Sequence, residues 1–189
     1  MGGTLARMYR PQFEAALRLL ARISSDLDEA GYRPPVLVGG GAVEVYTSGA
    51  ITTGDFDLSC GRQDVLEDAM QRRGFIRPSG PGMATRGWIH PELALGFEVV
   101  SDTLLDGMAD RSMVRIVDLG NDGSVAVIAP EDMIADRMGQ YASGTAREML
   151  GQARALFSLC EGLDLHYMDR RIREETAGDY GLQDLADAN

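Results

Sequence analysis

The run Asp55-Phe56-Asp57 constrains the fold of this chain more than any other feature of its sequence. Side chains alternate along a β-strand, so both aspartates would lie on one face of the strand and Phe56 on the other. Two carboxylates held this close repel each other unless a divalent cation lies between them, and hard oxygen ligands suit magnesium. The run therefore predicts a short strand with one apolar face and one magnesium-binding face, which in turn favours phosphate chemistry.

A glycine-rich turn precedes the aspartates. Val36-Leu37-Val38 predicts a short apolar strand, and Gly39-Gly40-Gly41 leads from it into a second helix, predicted at about 42–47. Such a turn lets backbone N–H groups approach phosphates, and the N-terminus of the helix adds positive potential. Glycine turns between a strand and a helix are also common without any ligand, so this turn indicates phosphate binding only together with the aspartates.

The remaining pattern predicts an α+β fold, with a small mixed or antiparallel sheet flanked by helices. Amphipathic periodicity predicts a first helix over 12–29. Paired strands are predicted over 84–90 and 95–101, and Asn121-Asp122-Gly123 supplies the turn of a later hairpin. We expect three parts: a core over 1–129, a C-terminal helical part over 130–177 packed on it, and an acidic tail over 178–189 that frays or lies loosely on the surface.

The composition argues against two classes of protein. No apolar run approaches the ~20 residues of a membrane span, and the N-terminus lacks the apolar region of a signal peptide, so we expect a cytoplasmic protein. The formal net charge of −11 argues against a general nucleic-acid binder, because phosphate backbones are held by an excess of lysine and arginine.

Basic side chains are nevertheless concentrated in one stretch. Residues 69–91 contain no acidic residue and four arginines: Arg72, Arg73, Arg77 and Arg86. The stretch is interpreted either as a solvated helix end running into a loop or as a local contact with RNA or another phosphate. Further along, Arg170, Arg171 and Arg173 lie among acidic residues, a pattern typical of a solvated helix face.

The order of the glycine turn and the paired aspartates resembles the nucleotidyltransferase fold of the polymerase-β superfamily. The superfamily pattern is hydrophobic-Gly-Gly/Ser, a spacer, then Asp-hydrophobic-Asp-hydrophobic. Here it is Val38-Gly39-Gly40, a spacer, then Asp55-Phe56-Asp57-Leu58. Within the superfamily the chain looks most like small stand-alone bacterial enzymes, including toxins of the abortive-infection type, so the resemblance implies a toxin–antitoxin-like setting.

The resemblance implies a third carboxylate on a later strand, and Glu98 is the best candidate. It interrupts the apolar run 93–100, and an isolated charge in a half-buried strand is costly without a partner. The alternative is a glutamate on the solvent face of an edge strand. Asp102 and Asp118 are rivals, but they lie near a strand end and a hairpin turn.

By resemblance, the chain would be a magnesium-dependent nucleotidyltransferase that uses two magnesium ions and a nucleoside triphosphate such as ATP. Asp55 and Asp57 would bridge both ions, and Glu98 would complete the site of the ion that activates the acceptor hydroxyl. The triphosphate would be bound by the backbone amides of Gly39 and Gly40, with Thr53 and Arg137 as further nucleotide-binding candidates. The acceptor stays open between a protein, an RNA and a small molecule.

Two positions depart from the superfamily pattern. Many relatives have a serine where this chain has Gly40, and toxin-type relatives often have an arginine where it has Ile51. A phosphate-binding cation must therefore come from elsewhere, and Arg137 and Arg147 are candidates, although both could instead form surface salt bridges. These departures leave a second hypothesis, a catalytically weak or inactive binding or regulatory protein with this fold. A metal-dependent glycosyltransferase is disfavoured by the short chain and the absence of alternating βαβ units.

Overall fold

The computed structural model describes residues 9–77, 87–93 and 95–186. Within these ranges the chain forms six α-helices and one six-stranded sheet. The helices are α1 (Pro11–Glu29), α2 (Gly39–Tyr46), α3 (Gln63–Arg72), α4 (Pro130–Ala142), α5 (Met149–Leu159) and α6 (Leu165–Glu175). The strands are β1 (Val36–Val38), β2 (Asp55–Ser59), β3 (Trp88–His90), β4 (Leu95–Ser101), β5 (Arg115–Asp118) and β6 (Ser124–Val127).

The sheet is mixed and has the strand order β3-β4-β2-β1-β6-β5. β1 pairs antiparallel with β2 and parallel with β6, and β2 pairs parallel with β4. The edge strands β3 and β5 form antiparallel pairs with β4 and β6. The predicted α+β class and both predicted strand pairs are confirmed, while residues 84–86 of the first pair lie outside the described ranges.

An aromatic layer determines which face of the sheet is buried. Phe56 of β2 stacks on Phe97 of β4 with ring centroids 4.8 Å apart, and Phe13 of α1 lies 5.0 Å from Phe56. All three phenylalanines are fully buried, in agreement with the predicted apolar stripe of α1. Because side chains alternate along a strand, the neighbours of Phe56 and Phe97 on β2 and β4 point to the opposite face.

The glycine turn is part of α2 rather than a loop before it. The helix begins at Gly39 and ends at Tyr46, whereas the sequence predicts a start at about residue 42. Val38, the last residue of β1, is extended and serves as the N-cap, so the strand passes directly into the helix. This direct connection holds the first turn of α2 against the neighbouring strand β2.

The C-terminal helices pack on the core through α4 and α5, which both contact α2. A buried polar network joins α4 to α6. Arg171 and Asp132 are both fully buried, and Arg171 Nε donates a hydrogen bond of 2.8 Å to Asp132 Oδ1. Tyr167 Oη donates to the same carboxylate at 2.9 Å, and Arg171 also pairs with Glu174 and Glu175. The prediction of a solvated helix face is therefore wrong at Arg171.

Arg171→Met is expected to destabilise the fold by about 3–5 kcal/mol, because it leaves the Asp132 carboxylate buried without its charge partner. Burial alone raises the pKa of Asp132, and the bonds from Arg171 and Tyr167 counteract that shift. Urea denaturation measures the loss. Arg173→Met on the same helix is the control, since Arg173 is exposed and, within the described ranges, forms a salt bridge with Asp169 only, and we expect a change within about 0.5 kcal/mol. Equal losses in the two variants would contradict the structural role of the network.

The acidic tail packs on α6 as far as the structure describes it. Leu185 is 2% exposed, and Leu182 N donates a hydrogen bond of 2.8 Å to Asp169 Oδ1. The expectation of a fraying tail is wrong for residues 181–186, because Leu185 contributes to the core and Asp169 anchors the backbone. Residues 187–189 lie outside the described ranges. In the described part of the chain, no helix has the length and apolar character needed to cross a membrane.

Candidate active site

The strands β2 and β4 bring the predicted carboxylates together. They pair in parallel with Asp55 opposite Gly96 and Asp57 opposite Glu98, on strands that lie about 4.8 Å apart. All three carboxylates share the sheet face opposite to Phe56 and Phe97. The rival Asp118 lies on the edge strand β5, separated from β2 by two strands. The geometry thus places Glu98, rather than Asp118, beside the paired aspartates.

The glycine turn lies against Asp57. Val38 pairs with Asp57, so the first turn of α2 begins beside this carboxylate, and the Gly40 N–H is near enough to lower the pKa of Asp57. Gly39 has a φ of +56°, and a Cβ there would overlap Asp57 Oδ2. Only glycine fits this position, since the left-handed conformation is unfavourable for other residues and no space is left for a side chain. The candidate phosphate-binding turn and the candidate metal-binding carboxylate are therefore direct neighbours.

Two further close approaches surround the aspartates. A Cβ at Gly40 would overlap Thr53 Oγ1, so Thr53 packs against the turn. On the other side, a Cβ at Gly96 would lie 2.6 Å from Asp55 Oδ1. Gly96 was not predicted from the sequence. Its position two residues before Glu98 places both residues on the same face of β4 and could have indicated that Gly96 lies beside the aspartates.

The surroundings of Asp57 disfavour its charged form, because they raise its pKa. Burial raises the pKa of the Asp57 carboxyl, the Gly40 N–H lowers it, and the carboxylates of Asp55 and Glu98 raise it again. Among the described residues, no group of three or more His, Cys, Asp or Glu side chains is placed so that it could hold a metal ion by itself. These donors fit magnesium nonetheless, because magnesium is usually held by one or two carboxylates, water and substrate phosphates rather than by a cage of protein ligands. The candidate metal ligands are Asp55, Asp57 and Glu98.

Arg137 of α4 lies near these carboxylates. Its positive charge lowers the pKa of Asp57, and its side chain is only 9% exposed. One guanidinium nitrogen, Nη1, pairs with Asp136 at 2.7 Å, while Nε is buried and has no hydrogen-bond partner among the described residues. Arg137 thus forms a salt bridge with Asp136 through Nη1 and has an Nε–H without a partner among the described residues. The other candidate, Arg147, is exposed and lies just before α5.

A buried ion pair that the sequence did not reveal holds Thr53. Glu44 of α2 is fully buried, and its Oε2 accepts a hydrogen bond of 2.6 Å from Thr53 N. Arg10, just before α1, pairs with Glu44 and also donates to the carbonyl oxygen of Thr53. The sequence around Glu44 does not indicate this partner, because Arg10 lies far away in the chain.

Two of the three described arginines of the basic stretch are paired with carboxylates. Arg73 holds Asp26 through two bonds of 2.7 Å, and Arg77 pairs with Glu67 at 2.6 Å. Arg86 lies outside the described residues. Paired guanidinium groups are less available to phosphates, so contact with RNA at this stretch stays a prediction.

Arg72 and Arg73 line a cleft on the other side of the sheet. The cleft has a volume of about 530 Å³, and its lining includes Arg18, Arg22 and His90. His90 pairs with Leu95, whose side chain alternates with those of Gly96 and Glu98 and therefore lies on the opposite face from the carboxylates. A ligand in this cleft would not reach the candidate active site.

The solved structures that match the chain agree on its fold. No family model and no curated protein sequence matches the chain. Solved structures that match include an antigenic nucleotidyltransferase-like protein from Paracoccidioides brasiliensis, with 16% identity and a TM-score of 0.57 over 82% of this chain and 78% of that one. They also include the antibiotic-resistance factor ANT(2″)-Ia, with 16% identity and a TM-score of 0.51 over 86% of this chain and 90% of that one. The chain therefore has the nucleotidyltransferase fold that its glycine turn and paired aspartates predict.

Proposed function

We propose that this protein is a magnesium-dependent nucleotidyltransferase that moves a nucleoside monophosphate from a nucleoside triphosphate to an acceptor hydroxyl. One observation carries the proposal. Asp57 is in register with Glu98, and the glycine turn lies directly against it, since a Cβ at Gly39 would overlap Asp57 Oδ2. A candidate metal ligand and a candidate phosphate-binding turn therefore meet at one carboxylate.

Asp55, Asp57 and Glu98 would hold two magnesium ions together with the phosphates of the substrate. When bound, the metal supplies a Lewis acid for the reacting phosphate and lowers the pKa of the acceptor hydroxyl. The role of this chain is to hold the three carboxylates on one rigid face. The paired strands and the aromatic layer beneath them provide that rigidity.

The triphosphate would lie along the first turn of α2. The Gly40 N–H lowers the pKa of Asp57, so we assign it to favouring the charged form of that carboxylate. Phosphate binding would then rest on Gly39, on the positive potential at the N-terminus of α2 and on Arg137. Thr53, packed against Gly40, would line the same turn.

Arg137→Gln is expected to raise the KM for the nucleoside triphosphate about 10- to 100-fold, because a charge-assisted hydrogen bond contributes about 1.5–3 kcal/mol. Steady-state kinetics, with nucleotide binding measured by calorimetry, tests this. Thermal melting controls for the loss of the buried pair with Asp136. Arg147→Gln discriminates between the two candidate cations, and we expect an unchanged KM for this exposed side chain. A larger effect at Arg147 than at Arg137 would contradict the assignment.

The proposed function is tested by incubating the protein with each of the four α-labelled ribonucleoside triphosphates and magnesium. The acceptor panel holds RNA, a protein extract and small hydroxyl compounds, including antibiotics because one structural neighbour is an antibiotic-resistance factor. Transfer of label that requires magnesium supports the proposal. Nucleotide binding without transfer supports the binding or regulatory alternative, and no binding at millimolar concentrations refutes both.

A further inference from the structure

Glu44 occupies an unusual place for a carboxylate. It is fully buried in α2, where its neighbours Ala42, Val43 and Val45 are buried apolar residues. An unpaired charge in such surroundings is very costly, so its partners account for its presence. Because Glu44 has no exposed surface, it cannot contact a substrate itself.

The partners of Glu44 are Arg10 and the backbone of Thr53. Arg10 Nε and Nη2 donate to the two carboxylate oxygens at 2.9 and 3.1 Å, which is the bidentate arrangement that fixes geometry best. Thr53 N donates to Glu44 Oε2 at 2.6 Å, and Arg10 Nη2 donates to Thr53 O. The ion pair therefore holds both backbone polar groups of one residue, the N–H through Glu44 and the carbonyl oxygen through Arg10.

Thr53 connects this ion pair to the candidate active site. Its Oγ1 bonds to the backbone of Asp55, with 3.1 Å to Asp55 O, and it packs against Gly40. Gly39, the preceding residue of the turn, lies against Asp57, because a Cβ there would overlap Asp57 Oδ2. Thr53 thus lies between the glycine turn and the first aspartate.

We infer that Arg10 and Glu44 are positioning residues, which hold the Thr53 backbone so that the glycine turn and the paired aspartates keep one fixed separation. The inference rests on the proposed function for its catalytic consequence. Neither residue contacts the nucleotide in this assignment. Their effect reaches the reacting groups through Thr53, and a misplacement of about 1 Å in such a site costs about 100-fold in rate.

Two variants test this role. Glu44→Gln keeps the shape of the side chain and removes its charge, and Arg10→Lys keeps the charge and removes the bidentate geometry. We expect both to lower kcat at least about tenfold while the KM for the nucleoside triphosphate changes less than about threefold. Hydrogen exchange followed by mass spectrometry should show faster exchange in peptides covering 47–57, at a temperature where melting curves show every variant folded.

Arg18→Lys is the matched control. Arg18 lies in α1, its side chain is 32% exposed against 33% for Arg10, and it also holds carboxylates, those of Glu14 and Asp122. It does not contact Thr53, so this variant should leave both kcat and the exchange of 47–57 unchanged.

The outcomes separate the two proposals. Unchanged exchange at 47–57 in Glu44→Gln and Arg10→Lys overturns the inference, and so does faster exchange with an unchanged kcat. If the wild type transfers no nucleotide, the proposed function fails by itself. The exchange comparison then still decides whether the ion pair orders this segment.

Discussion

Asp57→Asn is expected to lower kcat/KM for nucleotidyl transfer by about 1000-fold or more and to raise the melting temperature of the metal-free protein. The loss of activity follows because the amide removes a negative ligand from the centre of the proposed two-metal site. The gain in stability follows from the raised pKa of Asp57. A carboxyl whose folded-state pKa is raised destabilises the folded state when it is charged, so stability increases as the pH falls through that pKa. Asparagine imitates the neutral form at every pH.

Thermal melting in EDTA and in magnesium separates these two effects. In EDTA, the variant should melt above the wild type, and this difference should shrink at acidic pH because the wild-type carboxyl becomes neutral there. In magnesium, only the wild type should gain stability, since a ligand that binds the folded state raises its melting temperature. Asp68→Asn, at an exposed position of α3, controls for a general effect of charge removal. Transfer that persists in Asp57→Asn would refute the assignment of this residue.

Gly39→Ala is expected to abolish activity and to cost more stability than any other glycine-to-alanine change at a positive φ. The left-handed conformation at Gly39 costs a residue with a Cβ about 1–2 kcal/mol. The methyl group would in addition overlap Asp57 Oδ2, so either the turn or the carboxylate must move. Both groups belong to the proposed site, and a displacement of either separates the phosphate-binding turn from the metal ligands.

Gly31→Ala isolates the conformational part of this effect. Gly31 has a φ of +80°, and a Cβ there would meet no atom within 4 Å. We expect this variant to lose about 1–2 kcal/mol in urea denaturation and to retain full activity. A Gly39→Ala protein that matches Gly31→Ala in both measurements would show that the contact with Asp57 has no role.

Local patterns predicted much of the fold and the grouping of the carboxylates. The stripe of α1 and the strand with Asp55 and Asp57 follow from periodicity within a few residues. Glu98 was proposed because a single charge inside an apolar strand needs a partner; the structure places it in register with Asp57, and its role as a metal ligand stays a prediction. These predictions succeeded because each depends on side-chain direction within one element.

The residues that escaped prediction depend on contacts between distant parts of the chain. Glu44 and Arg10 belong to different helical segments, and only the tertiary structure brings them together. Arg171 lies among acidic residues, as on a solvated surface, yet α4 covers it completely. The strand order also could not be derived, because short strands with similar apolar patterns allow many pairings.

The position of β1 in the sheet has a consequence for synthesis of the protein. β1 pairs with β2 on one side and with β6 on the other, where Val36 lies opposite Ala126. During translation β1 and β2 therefore emerge long before β6, and β1 keeps an unpaired edge throughout that interval. Exposed strand edges recruit other strands, so a nascent or truncated chain ending before β6 would be prone to self-association. Addition of β6 pairs the free edge of β1, so we expect it to lower the tendency of the chain to self-associate.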